Sequence, residues 1–262
     1  MPEGDTIHRT ARSMQRALAG KVVLRAESRM PRVPSTKLTG ATIEEVVARG
    51  KHVVMRFADG RVLRTHMQMT GSWHLYRTTD RWRRPRRQMV LLLETDPWHA
   101  VAFNVPQAEL LRSERHSAQL RRLGPDLLDP DADLDDAIRR LTSEPDIPLG
   151  VAVMRQDLVS GIGNVYKSEL LFLEKLDPFG PVSAVSPEQL RVLLERTREL
   201  MRRNLRGPER ITTGRSDRMS KHVYGRQGEP CPVCETPIRM RRQGTGGRST
   251  YWCPTCQPPV TP

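Results

Sequence analysis

Ile7, Ala11, Met14 and Leu18 recur at three- and four-residue spacing, which places them on one face of a helix that opens at Asp5 and stops at Gly20. From Lys21 to Phe103 the pattern becomes that of short strands. Ile43 to Arg49, Lys51 to Phe57, Arg61 to Met67, Met89 to Glu94 and Ala100 to Phe103 are β-rich runs, and Ala58-Asp59-Gly60 makes a hairpin turn between two of them. With the opening helix, these runs predict a β-sandwich capped by one helix. Two polar stretches interrupt it, Pro31 to Lys37 and Arg77 to Arg87. The second carries six arginines with Trp82 among them, a composition that suits phosphate tracking and an ordinary solvated loop equally well.

Around Leu123-Gly124-Pro125-Asp126 the chain turns acidic and proline-containing, which reads as a linker over residues 123–134. Beyond it the periodicity is helical. Asp135 to Leu141, Leu149 to Val153, Lys167 to Leu173 and Pro187 to Asn204 are predicted helices, the last opened by Ser186 and Gln189 in a capping-box arrangement. The two halves are therefore different folds. The expected boundaries are a sandwich domain over 1–122, the linker, a helical domain over 135–225, and a cysteine-bearing segment with a proline-rich tail over 226–262.

A net charge of +13 and a pI near 10.4, carried mostly by arginine, imply a polyanionic partner. No run of 18 apolar residues and no signal peptide is present, which points to a cytoplasmic protein without a membrane partner. All four cysteines fall near the end as Cys231-x2-Cys234 and Cys253-x2-Cys256, with 18 residues between the pairs. That spacing suits one tetrahedral zinc ion held by four thiolates, a structural site with no open position for substrate.

Candidate chemistry sits at the other end. Removal of Met1 would leave Pro2 as a free secondary amine, and an α-amino group has a reference pKa of about 7.7 to 8.0, low enough to be partly unprotonated near neutrality. Such an amine attacking an aldehyde-like carbon gives an iminium ion, an electron sink that serves lyase chemistry without a cofactor. Glu3 beside it is placed to give or take a proton. A terminus tied to an amphipathic helix from its fifth residue is held in place. In the second half, Ser160-Gly161-Ile162-Gly163-Asn164 allows a tight reversal between helices. Asn164 stands where the next helix begins, so its amide and the free N–H groups there can meet a phosphate.

Taken together, these residues resemble the formamidopyrimidine-DNA glycosylase and endonuclease VIII family of base-excision repair enzymes. The likeness covers nearly the whole chain: Pro2-Glu3-Gly4, Arg49-Gly50-Lys51, His66-Met67-Gln68-Met69-Thr70-Gly71, the segment from Met154 to Leu173, and the four-cysteine hairpin. It implies an α+β protein of two domains, a helix-capped β-sandwich followed by a helix-two-turn-helix domain with a four-cysteine zinc β-hairpin finger. It further implies that Pro2 attacks C1′ of a damaged nucleotide while Glu3 moves a proton to the opening sugar, with Lys51 reaching the phosphate beside the lesion. His66, Asn164 and Arg248, the last at the tip of the zinc hairpin, are similar to the family's phosphate contacts. Met69 is similar to a methionine that fills the gap left by an extruded base, although on a strand a methionine is usually core. The loop from Gly207 to Val223 is expected to face the flipped base.

Two departures qualify the likeness. Thr6 stands where the family often has glutamate, so one acidic partner is missing. The stretch Phe103-Asn104-Val105-Pro106-Gln107-Ala108-Glu109 lacks the arginine and phenylalanine that the guanine-directed branch uses opposite the lesion. The second departure favours the endonuclease VIII branch and oxidised pyrimidines, cut by successive β- and δ-elimination. The alternatives are an 8-oxoguanine-directed glycosylase and a non-catalytic binder of damaged DNA. The expected partner is damaged double-stranded DNA, with single-stranded or bubble DNA left open, bound by a monomer close to the nucleoid.

Overall fold

The first helix, α1, spans Gly4–Leu18 in the computed structural model, which describes residues 2–114, 117–207, 209–216 and 219–259. Ile7, Ala11, Met14 and Leu18 are its buried stripe. Gly20 follows with a positive φ of 76°, a conformation that ends the helix at little cost only for glycine. The chain divides into two units, Met1–Arg122 and Leu123–Pro262.

Among the described residues, eight strands follow α1 in the first unit: β1 Arg25–Ser28, β2 Ile43–Arg49, β3 His52–Phe57, β4 Val62–His66, β5 Ser72–Arg77, β6 Met89–Glu94, β7 Trp98–Phe103 and β8 Gln107–Leu111. They form two antiparallel four-stranded sheets, in the orders β1-β6-β7-β5 and β2-β3-β4-β8. The core between them draws on Ile43, Val53, Met55, Phe57, Leu63, Leu91, Leu93 and Ala102, closed by the stripe of α1. A short helix, α2 (Ala118–Arg121), completes the unit.

Five strands lie where hydrophobic alternation places them. Three do not show in the sequence. β1 is a short, half-exposed edge, β5 keeps four of its six residues half-exposed, and β8 begins inside the 103–109 stretch, where no alternation marks it. β8 pairs with β4 from Val62↔Leu111 to His66↔Gln107, so residues 107–111 belong to the sheet. A polar edge strand gains its stability from ladder hydrogen bonds, which leave no periodic signature in composition.

The second unit holds α3 (Leu134–Thr142), α4 (Leu149–Ala152), α5 (Asn164–Leu173), α6 (Pro187–Arg203) and the hairpin strands β9 (Arg239–Gln243) and β10 (Arg248–Trp252). The capping box of α6 is present, Ser186 Oγ accepting from Gln189 N–H and Gln189 Oε1 from Ser186 N–H. The stretch 123–134, expected as a linker, instead packs into this unit. Leu127 and Leu128 are buried in its core, Ser160 N–H donates to Pro125 O, and Asp126 forms a parallel bridge with Ser160. Its aspartates and prolines serve local turns, and only the two leucines between them carry the burial.

Candidate active site and nucleic-acid interface

In the first unit Pro2 is half-buried and Glu3 fully buried, immediately ahead of α1. Glu3 adopts an extended conformation and its carbonyl accepts the first helical bond from Ile7 N–H at 3.0 Å, so the segment is anchored to the helix. The acid missing at Thr6 has a neighbour in Asp5, which is almost fully buried and accepts from Thr6 N–H at 2.7 Å and from its hydroxyl at 3.3 Å. Sequence reading passed over Asp5 because an aspartate in a first helical turn is an ordinary preference.

α1 packs on β2 and β3. These two strands are joined by the two-residue loop Gly50-Lys51, with Arg49↔His52 the closing pair and Gly50 at φ 57°, the left-handed value that a tight hairpin asks of its first position. Lys51 is thereby raised on a turn rather than held in a strand. His66 ends β4 opposite His52, their rings edge to face at 4.7 Å. Arg64 lies beneath them, donating from Nη1 to His52 Nδ1 at 3.0 Å and from Nε to Glu109 Oε1 at 2.7 Å.

This setting keeps both imidazoles neutral. Burial, then the charges of Lys51 and Arg64, push His66 down to about 4. Burial, then His66 and Arg64, push His52 down to about 3. Since His66 Nδ1 accepts from Gln68 N–H at 3.2 Å, its proton sits on Nε2. The result is an uncharged donor beside a lysine. His52, Arg64 and Glu109 were not singled out in the sequence, because buried polar residues on a strand look like its solvent-facing positions.

Beyond β4 the chain leaves the sheet. Gln68 takes a positive φ of 47°, Gly71 N–H bonds to Met67 O at 2.8 Å, and Thr70 Oγ1 donates to Asn104 O at 3.3 Å. A Cβ on Gly71 would lie 2.6 Å from Met67 O, so only glycine closes this turn. Met67 is core, whereas Met69 stands 66% exposed on the tip.

In the second unit the reversal ahead of α5 is tied by Gln156. Its Nε2 donates to Met154 O at 2.7 Å and Ile162 O at 3.1 Å, and its Oε1 accepts from Gly161 N–H, where φ is 98°. Asn164 begins α5 at 3% exposure. Its amide meets Ser249 Oγ at 3.1 Å through Nδ2, leaving Oδ1 buried without a partner. α5 therefore meets β10 one residue from Arg248, and the structure brings Asn164 and Arg248 to the same place. Arg248 itself is exposed and has no ion-pair partner among the described residues.

Three further residues of α5 act in the same way. Buried Lys167 donates to Ser249 O at 3.2 Å and Thr250 Oγ1 at 2.8 Å, and Ser168 Oγ accepts from Tyr251 N–H at 3.3 Å. Glu169 is fully buried and accepts from the N–H groups of His222, Val223 and Tyr224 at 2.7 to 2.9 Å and from Thr212 Oγ1. Burial opposes its ionisation, but the hydrogen bonds from His222, Thr212 and Tyr224 outweigh that and hold its carboxyl below the usual range. It thus ties Thr212 to the far end of the loop expected at the flipped base, of which residues 208, 217 and 218 lie outside the described set.

The four cysteine sulfurs lie within 4.8 Å of one another. Individual separations are 3.4 Å (Cys234–Cys253), 3.5 Å (Cys234–Cys256) and 3.9 Å (Cys231–Cys256), and a tetrahedron with Zn–S bonds of about 2.3 Å has edges of about 3.8 Å. Val233 N–H points to Cys231 Sγ and Cys256 N–H to Cys253 Sγ, each at 3.5 Å, the donors a bound thiolate needs. The set fits one structural zinc.

Residues 1–108 match the family model described as formamidopyrimidine-DNA glycosylase N-terminal domain, residues 123–215 the formamidopyrimidine-DNA glycosylase H2TH domain, and residues 228–259 the zinc finger found in FPG and IleRS. The chain is 40% identical over 260 residues to the probable endonuclease 8 2 of Streptomyces coelicolor, covering 98% of this chain and 94% of that protein. It is 39% identical over 259 residues to the DNA-(apurinic or apyrimidinic site) lyase Nei2 of Mycolicibacterium smegmatis, covering 98% and 99%. Among solved structures, MutM (Fpg) of Thermus thermophilus superposes with a TM-score of 0.81 at 26% identity over 99% of this chain and 100% of that one.

Proposed function

Because the chain belongs to the formamidopyrimidine-DNA glycosylase family, in its endonuclease VIII-like branch, we propose that it removes oxidised bases, pyrimidines above all, and cleaves the abasic strand through Pro2. Its class is that of DNA glycosylase and abasic-site lyase of base-excision repair, with damaged duplex DNA as substrate and one structural zinc. The single observation that carries the assignment of the nucleophile is the anchored start of α1, a half-buried Pro2 backed by a fully buried Glu3.

The Pro2 nitrogen, freed by removal of Met1, forms a bond to C1′ as the C1′–base bond breaks and the base departs. Met1 lies outside the described residues. Glu3 delivers the proton that opens the sugar, and the nitrogen lone pair makes the iminium. Loss of a C2′ proton then expels the 3′ phosphate, a second elimination expels the 5′ phosphate, and hydrolysis returns the amine. Lys51 and the neutral Nε2–H of His66 hold phosphates near this centre, Met69 fills the vacated stack, and Asn164 with Arg248 grips the backbone through the second unit. These contacts position without reading sequence, as suits an enzyme that finds damage in any context.

Pyrimidine preference is supported by the 103–109 stretch, which enters β8 without the arginine and phenylalanine of the guanine-directed branch. Parallel incision of thymine glycol, dihydrouracil and 8-oxoguanine duplexes tests it, and faster cutting of 8-oxoguanine reverses the assignment. Borohydride trapping on abasic-site DNA tests the nucleophile. Wild type is expected to be trapped and Pro2→Gly not, so equal trapping of the two removes Pro2 from the mechanism. The protein is expected to act as a cytoplasmic monomer beside the nucleoid.

A further inference from the structure

The arginine-rich stretch between β5 and β6 has no part in the chemistry above, yet it is a built feature of the first unit. β5 and β6 both run antiparallel to β7 and so parallel to each other, which obliges residues 78–88 to cross back over one face of the sheet. They cross the outer face. Trp82 packs there against Tyr76, Phe103 and His99, at ring separations of 6.3, 5.8 and 6.4 Å. Arg83 N–H donates to Tyr76 Oη at 3.1 Å, Asp80 accepts from Arg77 N–H at 2.9 Å, and Pro85 stiffens the middle.

The backbone of this strap is fixed while its guanidiniums are left outside. Arg77 is spent on the Trp98 ring at 4.1 Å, and Arg86 on Glu27 at 2.7 Å. Arg81, Arg83, Arg84 and Arg87 have no carboxylate partner among the described residues. The one acid of the strap, Asp80, faces a backbone N–H. An open groove of about 550 Å³ beside it is lined by His74, Tyr76, Asp80, Arg81 and Arg83. His74 there is pushed down by burial and then by the charges of Arg84 and Arg83, as an excess of positive charge requires.

The strap also ends at the loop that carries Met69. Gln88 O accepts from Asn104 N–H at 2.9 Å, and Asn104 O accepts from Thr70 Oγ1 at 3.3 Å. Arg81 to Arg87 therefore leads away from that loop along the outside of the sandwich. Six residues reach at most about 20 Å, the rise of about six nucleotides.

We propose that the Arg81–Arg87 strap is a second DNA contact, gripping phosphates of the duplex that flanks the lesion on one side. Guanidinium forks bind phosphate in bidentate fashion, and a strap ordered before binding loses little entropy when it does so. The side it serves rests on the reading of the Met69 loop as lesion-facing, whereas the contact with phosphate does not.

The test uses the full-length, zinc-loaded protein and a triple variant, Arg83→Gln, Arg84→Gln and Arg87→Gln, which keeps the Trp82 anchor and the Arg86–Glu27 pair. On a duplex of about 30 base pairs, the slope of log K against log salt is expected to fall by about 2 to 3, at about 0.9 per lost phosphate contact. Single-turnover cleavage of a preformed abasic site at saturating protein is expected to stay unchanged. Single variants Arg84→Gln and Arg87→Gln, each lowering the slope by about one unit, replace the triple variant should it not fold. Shortening the flank on one side of the lesion should erase the difference between variant and wild type, and shortening the other should not. Unchanged slopes, or a difference indifferent to both truncations, overturn the proposal. Wild type that is not trapped by borohydride, together with a reduced slope in the variant, defeats the catalytic reading and leaves the strap standing.

Discussion

His66 differs from an ordinary surface histidine in carrying no charge where most would titrate. With its ring held down to about 4, affinity for an abasic-site analogue should show no histidine step between pH 5.5 and 7.5. A titration that loses affinity through pH 6 to 7 would mean that His66 binds as a cation. The neutrality also affects folding. His52 and His66 take up protons in the unfolded chain below about pH 6.5 but not in the folded one until about 3 and 4, so stability falls as pH drops through that window. Denaturant unfolding at pH 7 and pH 5 should show the loss, and His52→Gln should flatten it. Glu3→Gln tests the other half of the site. It should abolish base removal while leaving cleavage of a preformed abasic site, and equal loss of both would give Glu3 a different role. How much one residue reveals in sequence is illustrated by Met67 and Met69. Two positions apart on a strand, they would share a face and both be core. The left-handed turn at Gln68 separates them, and no hydropathy pattern records a single φ angle.

At the scale of elements, α5 holds the second unit's working parts together. From Asn164 to Phe172 every residue is buried, and the four polar ones at 164, 167, 168 and 169 bind β10 and the loop ahead of the finger. A helix buried all round has little amphipathic pattern, so periodicity alone marks it only from Lys167, whereas the glycine-rich reversal ahead of it places its start at Asn164. Glu169 carries the clearest consequence. Its depressed carboxyl contributes stability that is present above the unfolded value and lost as pH falls through the folded one. Glu169→Gln replaces a carboxylate facing three N–H groups with an amide that cannot satisfy them all, at a cost on the order of 3 kcal/mol. Hydrogen exchange at residues 222–224 should accelerate more than in the body of α6, and uniform protection across both would show that the loop is held by something else. Elements that bury a full stripe, such as α1, β3 and α6, are legible in the chain. The half-exposed β5, the edge strand β1 and the 123–134 segment with its two buried leucines are not, because their partners come from far along the sequence.

For the whole molecule, each unit has a core of its own, and the four cysteines and Pro2 lie in different units. Apart from polar ties to α5 and its neighbours, the finger has little apolar packing to hold it. Its apolar cluster is Phe172, Val223, Ile238, Tyr251 and the cysteines themselves, and of its two strands only Thr250 is fully buried. Structural zinc contributes about 10 to 16 kcal/mol to such a module, far more than that cluster could replace. Chelation should therefore melt β9 and β10, release Arg248 from its place beside Asn164, and free Lys167 and Ser168 from their partners, while the sandwich with Pro2, Glu3, Lys51 and His66 stays folded. Affinity for abasic-site DNA should drop at least about tenfold, the effect of roughly 1.4 kcal/mol from a lost charged contact, and the salt slope should fall by about one. The amine should remain competent, so that raising the protein concentration restores borohydride trapping and the near-neutral Pro2 chemistry with it. Thermal unfolding should separate into two transitions, only one of which moves with zinc. If chelation silenced trapping even at saturating protein, the zinc hairpin would have to take part in forming the catalytic centre, and the division of labour between a sandwich that reacts and a finger that grips would not hold.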